Sequence, residues 1–164
     1  MPHPGFLVLA AGGGDPFALR RVGKGQAVRP AFTRTREITD ALGSRLQVCV
    51  EAQPTGALVS LRRPDRRGRP CVRLDDYGSE VLWGYIMSAR LALPGELPEE
   101  RVEGAFPSRL SVAREPCVAI MMTQPELERP FELPATFWDR LYAELCLVNA
   151  HARAFAMRVR AGVA

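Results

Sequence analysis

The chain has 164 residues, 47 % of them hydrophobic and 24 % charged, with a formal net charge of +4 at pH 7. That balance describes a globular chain with apolar material for one sizeable core, and it excludes a disordered or low-complexity protein. The longest apolar run near the N-terminus, Phe6 to Ala11, is too short for a signal-peptide core or a membrane span and has no basic flank before it, so a soluble, non-secreted protein is expected.

Two further compositional features bear on function. The basic residues are almost all arginine, with Lys24 the only lysine. Guanidinium forks suit phosphate and carboxylate, but the abundance of alanine, glycine and proline points equally to a GC-rich genome, and composition alone does not make a nucleic-acid binder. Cys49, Cys71, Cys117 and Cys146 lie far apart, with no CxxC or histidine-paired spacing, so no zinc site or redox dithiol is expected. Reduced thiols in apolar segments fit a reducing, cytoplasmic compartment.

Residues 5–14, GFLVLAAGGG, read as a short strand running into glycines. A strand, a glycine turn and a helix start together make a phosphate site, but Phe17 stands where a dinucleotide fingerprint needs its third glycine. Gly23-Lys24-Gly25 is followed by Gln26, which breaks the phosphate-loop pattern. The basic segment 20–45 is weakly periodic, with a strand expected near Ala27 to Thr33 and a helical turn around Glu37 to Leu42. From Leu46 to Glu51 apolar and polar residues alternate, the turn at 53–56 carries Pro54 and Gly56, and Ala57 to Leu61 returns, predicting an antiparallel hairpin.

A strand is predicted at Pro70 to Leu74, then a turn at Asp75 to Ser79. The alternation of Val81, Trp83, Tyr85, Met87, Ala89 and Leu91 predicts a long strand over Glu80 to Leu93, bent near Gly84 or Ser88. Residues 94–104 are an acidic connection, Ala105 to Arg114 and Cys117 to Thr123 a second hairpin, and Gln124 to Pro134 a proline-marked linker. The last segment is a long amphipathic helix over 134–161. Trp138, Leu141, Tyr142, Leu145, Val148, Ala152, Phe155 and Val159 form one stripe, with Thr136 and Asp139 placed as a capping pair and Gly162 as a stop.

The expected fold is therefore α+β: one domain over 1–164, built as an antiparallel sheet of five to seven strands with one long C-terminal helix on a face. Its parts are a less regular basic segment at 1–45, strands over 46–123 and the helix. A repeat of strands followed by a helix would point to the folds that bind single-stranded nucleic acid, but the sequence shows only one such unit.

Two surfaces stand out as candidate sites. The loop at 62–70 carries Arg62, Arg63, Arg66, Arg67 and Arg69 against Asp65, a tip that attracts phosphate or an acidic partner, or simply guards a sheet edge. It has no interleaved aromatic for base stacking. Opposite the aromatic stripe of the last helix, Ala143, Leu147, Ala150, Ala154 and Met157 form a second, small-residue face. An acidic run, Asp75 to Glu103, either balances the arginines within the molecule or orients a partner.

Catalytic groups are sparse: His3 and His151 are the only histidines, and Asp75 and Asp76 read as turn caps rather than metal ligands. The expectation is a non-enzymatic protein–protein interaction or assembly module, binding a protein partner or a second copy of itself, with no cofactor, metal or membrane. The alternative is a nucleic-acid-binding protein using the arginine loop and segment 20–45.

Overall fold

The structure is a computed structural model and describes residues 32–53 and 56–160. The expected strand in 5–14, the part of the basic segment before residue 32, and Gly162 lie outside the described residues, as do the side chains of Phe155 and Val159.

The architecture is α+β, with antiparallel strands and a C-terminal helix, but the strands divide between two sheets rather than forming one. The first sheet runs in sequence order: β1 (Phe32–Thr39), β2 (Arg45–Gln53), β3 (Gly56–Arg62) and β4 (Cys71–Leu74), followed by α1 (Asp76–Ala92). The second repeats the plan: β5 (Glu100–Val102), β6 (Ser108–Ala113), β7 (Ala119–Thr123) and β8 (Phe131–Pro134), then a 3-10 turn at Ala135–Phe137 and α2 (Trp138–Arg160). Two units of four strands and a helix therefore follow one another, where the sequence showed one.

The hairpin of β2 and β3 forms in the expected place, with Val48 opposite Leu61 and Val50 opposite Val59. Pairing of β1 with β2 replaces the expected helical turn: Ile38 faces Leu46, and Asp40 closes the connection by accepting from the Leu42 and Ser44 amides.

The segment over 80–93 is a helix, not a strand. Its alternation satisfies a period of two, but Ser79, Leu82, Tyr85, Ile86 and Ala89 are buried at steps of three and four, which only a helix places on one side. The start is decided at Asp75, whose Oδ1 accepts from the Gly78 amide at 2.7 Å and satisfies an orphan donor of the first turn. Full burial of Leu82 and Ile86 contributes roughly 1.5–3 kcal/mol each.

In α2, Trp138, Leu141, Leu145 and Val148 are buried, as the stripe requires, and Tyr142 and Ala152 are half-buried. Its start differs from expectation. The Thr136 hydroxyl donates to Asp40 Oδ2 at 2.8 Å instead of capping the helix, and the chain enters α2 through the 3-10 turn, with Trp138 Nε1 donating to the Leu133 carbonyl.

The helices lie side by side and antiparallel. Early α1 meets late α2, through Ser79 with Asn149 and Glu80 with Arg153, while Arg90 near the end of α1 pairs with Asp139 at the start of α2. Trp83 stacks on Tyr142 with ring centroids 5.4 Å apart, its Nε1 donating to Cys146 Sγ. Helix α1 packs on β3 and β4 and also on β5 and β6 of the second unit, and α2 reaches back over β2 and β3 of the first. One buried cluster joins both sheets and both helices, including Leu46, Val59, Leu74, Leu110, Ile120, Phe131 and Leu145.

Candidate functional site

Register decides which side chains of the first sheet face outward. Ile38, Leu46, Val48, Val59, Leu61, Val72 and Leu74 face the helices, so the alternate positions form the outer face. These are Thr33, Thr35, Glu37 and Thr39 on β1, Arg45, Gln47, Cys49, Glu51 and Gln53 on β2, Leu58, Ser60 and Arg62 on β3, and Cys71 and Arg73 on β4. None of them is buried. The face is thus a pleated surface of hydroxyls, amides and three guanidiniums, with two carboxylates, two thiols and the side chain of Leu58.

The arginine loop leaves this sheet between β3 and β4, and the structure separates its five guanidiniums. Arg62, Arg66, Arg67 and Arg69 are exposed, Gly68 and Arg69 taking positive φ at the tip. Arg63 is only 1 % exposed and is not available to a partner. Its Nε and Nη2 donate to the Asp65 carboxylate at 3.0 and 2.8 Å, Nε also reaches the Arg45 carbonyl, and Nη1 donates to the Glu132 carbonyl of β8 at 3.1 Å. The guanidinium lies 5.1 Å from the centre of the Phe137 ring. This side chain is a structural strut between the units, and the Arg63 ion pair holds the Asp65 carboxyl below the usual carboxylate range.

A matching strut runs the other way. Gln124 follows β7 directly, as Arg63 follows β3. Its Oε1 accepts from the Arg73 amide at 3.2 Å, and its Nε2 donates to the Arg73 carbonyl at 2.6 Å and to Ser108 Oγ at 2.8 Å. Each unit therefore sends the residue after its third strand to the backbone of the other unit's fourth strand.

The correspondence is visible in the sequence once the units are aligned on these struts. Arg63-Pro64-Asp65, closing with Arg69-Pro70, matches Gln124-Pro125-Glu126, closing with Arg129-Pro130. Ser44-Arg45-Leu46-Gln47-Val48 similarly echoes Ser108-Arg109-Leu110-Ser111-Val112. These short echoes were the available signal for the repeat.

The two loops are neighbours. Arg67, Gly68 and Pro70 of the first and Glu126, Leu127, Glu128 and Arg129 of the second line one cleft of about 640 Å³. Arg66 Nη2 lies 3.6 Å from Glu132 Oε2 on the outer face of β8.

Of the described arginines in the basic segment, Arg34 and Arg36 sit on the helix-facing side of β1, where Arg34 pairs with Glu144 at 2.9 Å, and only Arg45 shares the outer face. A narrower apolar cleft beside that pair, lined by Val48, Val50, Ala57, Val148 and His151 among others, holds about 40 Å³. That is room for about three waters.

The acidic run is largely consumed within the molecule. Asp75 Oδ2 accepts from the Ala105 amide and Asp76 Oδ1 from the Ala57 amide, while Glu80 pairs with Arg153 and Glu99 lies 3.8 Å from Arg109. Burial raises the Asp76 pKa despite the Ala57 hydrogen bond, and the Asp75 and Glu80 charges add to the rise. Among the described residues no three His, Cys, Asp or Glu side chains gather to hold a metal ion, and no described helix is long and apolar enough to cross a membrane. All four cysteines are free thiols.

On α2, Ala143, Leu147, Ala150, Ala154 and Met157 are all exposed, Leu147 at 46 % and Met157 at 72 %. No protein-family model matches the sequence, and no curated protein matches it either.

Proposed function

We propose that the protein is a non-enzymatic binder of single-stranded nucleic acid, held on the outer face of the first sheet and the adjoining arginine loop. The observation that carries this reading is the surface itself: Arg45, Arg62 and Arg73 rise from rows of Thr, Ser and Gln, with Arg66, Arg67 and Arg69 beside them. Phosphate oxygens need guanidinium and hydroxyl donors, and this face supplies both, with no element among the described residues covering it. A pleated surface from which no described helix projects suits a flexible strand better than a duplex groove. The repeat of four strands and a helix supports the same reading at the level of fold, which by itself is only analogy. Among the described residues this face carries no aromatic platform, so phosphate contacts dominate and affinity is governed by salt.

Six exposed guanidiniums on a single strand give a log–log salt slope no steeper than about −4, reduced toward about −3 where Glu37 and Glu132 already lie near Arg45 and Arg66. Fluorescence anisotropy with a labelled oligonucleotide across a salt series measures it. Replacing Arg62, Arg66, Arg67 and Arg69 by Ala together, with Arg63 kept for folding, is expected to weaken binding by about a hundredfold at low salt. Unchanged affinity in that variant overturns the proposal.

A second reading, a protein-interaction module, is favoured by the exposed face of α2, where Leu147 and Met157 stand in solvent.

A further inference from the structure

The cleft between the two loops has walls of different character. Repeat one contributes the guanidinium of Arg67, with Arg66 and Arg69 on the same loop; repeat two contributes the carboxylates of Glu126 and Glu128 together with the guanidinium of Arg129. Pro70 and the half-buried Leu127 add apolar lining. Carboxylates in a polyanion site oppose binding unless they meet a donor. In an unpaired strand the Watson–Crick edges are free, and only some bases offer an amino group there.

Resting on the nucleic-acid reading above, we infer that Glu126 and Glu128 select bases: the backbone lies along the arginine wall, and the carboxylates accept hydrogen bonds from bases bearing exocyclic amines. Guanine is favoured most, because one carboxylate can accept from its ring N–H and its amino group together. Thymine and uracil are disfavoured, since their edge offers a carboxylate only one N–H, flanked on both sides by carbonyl oxygens that repel it. At about 640 Å³ the cleft is large enough for a flipped-out base. The two loops hold the same place in their repeats: Asp65 and Arg69 have like-charged equivalents in Glu126 and Arg129, and the charge difference lies at the tips, Arg66 and Arg67 against Leu127 and Glu128.

The test compares two unstructured DNA oligomers of about twelve nucleotides, one all thymidine and one alternating thymidine and guanosine, by anisotropy at about 50 mM salt. The wild-type chain is expected to bind the guanosine-containing oligomer about fivefold more tightly or better. In a Glu126→Gln, Glu128→Gln double variant, matched to wild type in melting temperature, that ratio is expected to fall to near one, while thymidine binding holds or improves. Equal wild-type affinities for the two oligomers overturn the inference and leave the parent reading intact. So does a preference that survives the double substitution, or a double variant that tightens both oligomers by the same factor. Binding of neither oligomer by the wild type overturns the parent reading and this one with it.

Discussion

Arg63 shows how far a residue's role can depart from its neighbours'. In the sequence it is one of five loop arginines; in the structure it is the largest buried polar side chain among the described residues, bonded to two carbonyls and a carboxylate and set over an aromatic ring. Removing it leaves the Glu132 carbonyl and Asp65 without their donor, so Arg63→Met is expected to cost roughly 3 kcal/mol or more in a denaturant titration. The same pair sets a pH dependence. The Arg63 contact depresses the Asp65 carboxyl in the folded state, so its stabilisation is complete above the unfolded carboxyl value, about 4, and is lost as pH falls through the lower folded one. Asp65→Asn is expected to flatten that acid limb in thermal melts. Asp76 acts with the opposite sign: its raised folded value favours folding most at low pH and less as pH climbs through that value.

Among the elements, the hairpin of β2 and β3 and the buried stripe of α2 were legible because one pattern fitted each. Helix α1 was not, since Val81 to Leu91 satisfies the strand period and Leu82, Ile86 and Ala89 satisfy the helical one. The cap at Asp75 breaks the tie, and a reading of Asp75 to Ser79 as a turn concealed it. With α1 misread, the repeat vanished, and with it the cleft, because Gln124 to Pro134 then looked like a linker, although Phe131–Pro134 is strand β8. The arginine loop was legible as charge, but the inward turn of Arg63 depends on Glu132 and Phe137, far away in sequence. The exposed face of α2 supports its own prediction. Ala150→Glu is expected to leave stability within about 0.5 kcal/mol and to weaken any association through this helix. Light scattering and thermal melts on both proteins decide, and two monomers of equal stability would remove the face from function.

At the scale of the molecule, the units are locked by exchange: each helix rests partly on the other unit's strands, and each third strand is followed by a strut to the other's fourth. Among the described residues, both helices lie on the other side of the first sheet and leave its outer face uncovered. The charge difference between the sister loops then distinguishes two halves that share one plan. The molecule offers a ligand one strongly cationic loop rather than two, so a single strand per chain is the stoichiometry that follows from the proposal.

Gln124 also finishes the border of a sheet. Its amide gives and takes one hydrogen bond each at Arg73, as a neighbouring strand would, so β4 presents no vacant rung at that point to a foreign chain. Cutting the side chain back in Gln124→Ala is expected to spare the hydrophobic core yet uncover that rung, and size-exclusion chromatography at rising concentration should show strand-mediated oligomers. A single amide thus stands guard against misassembly.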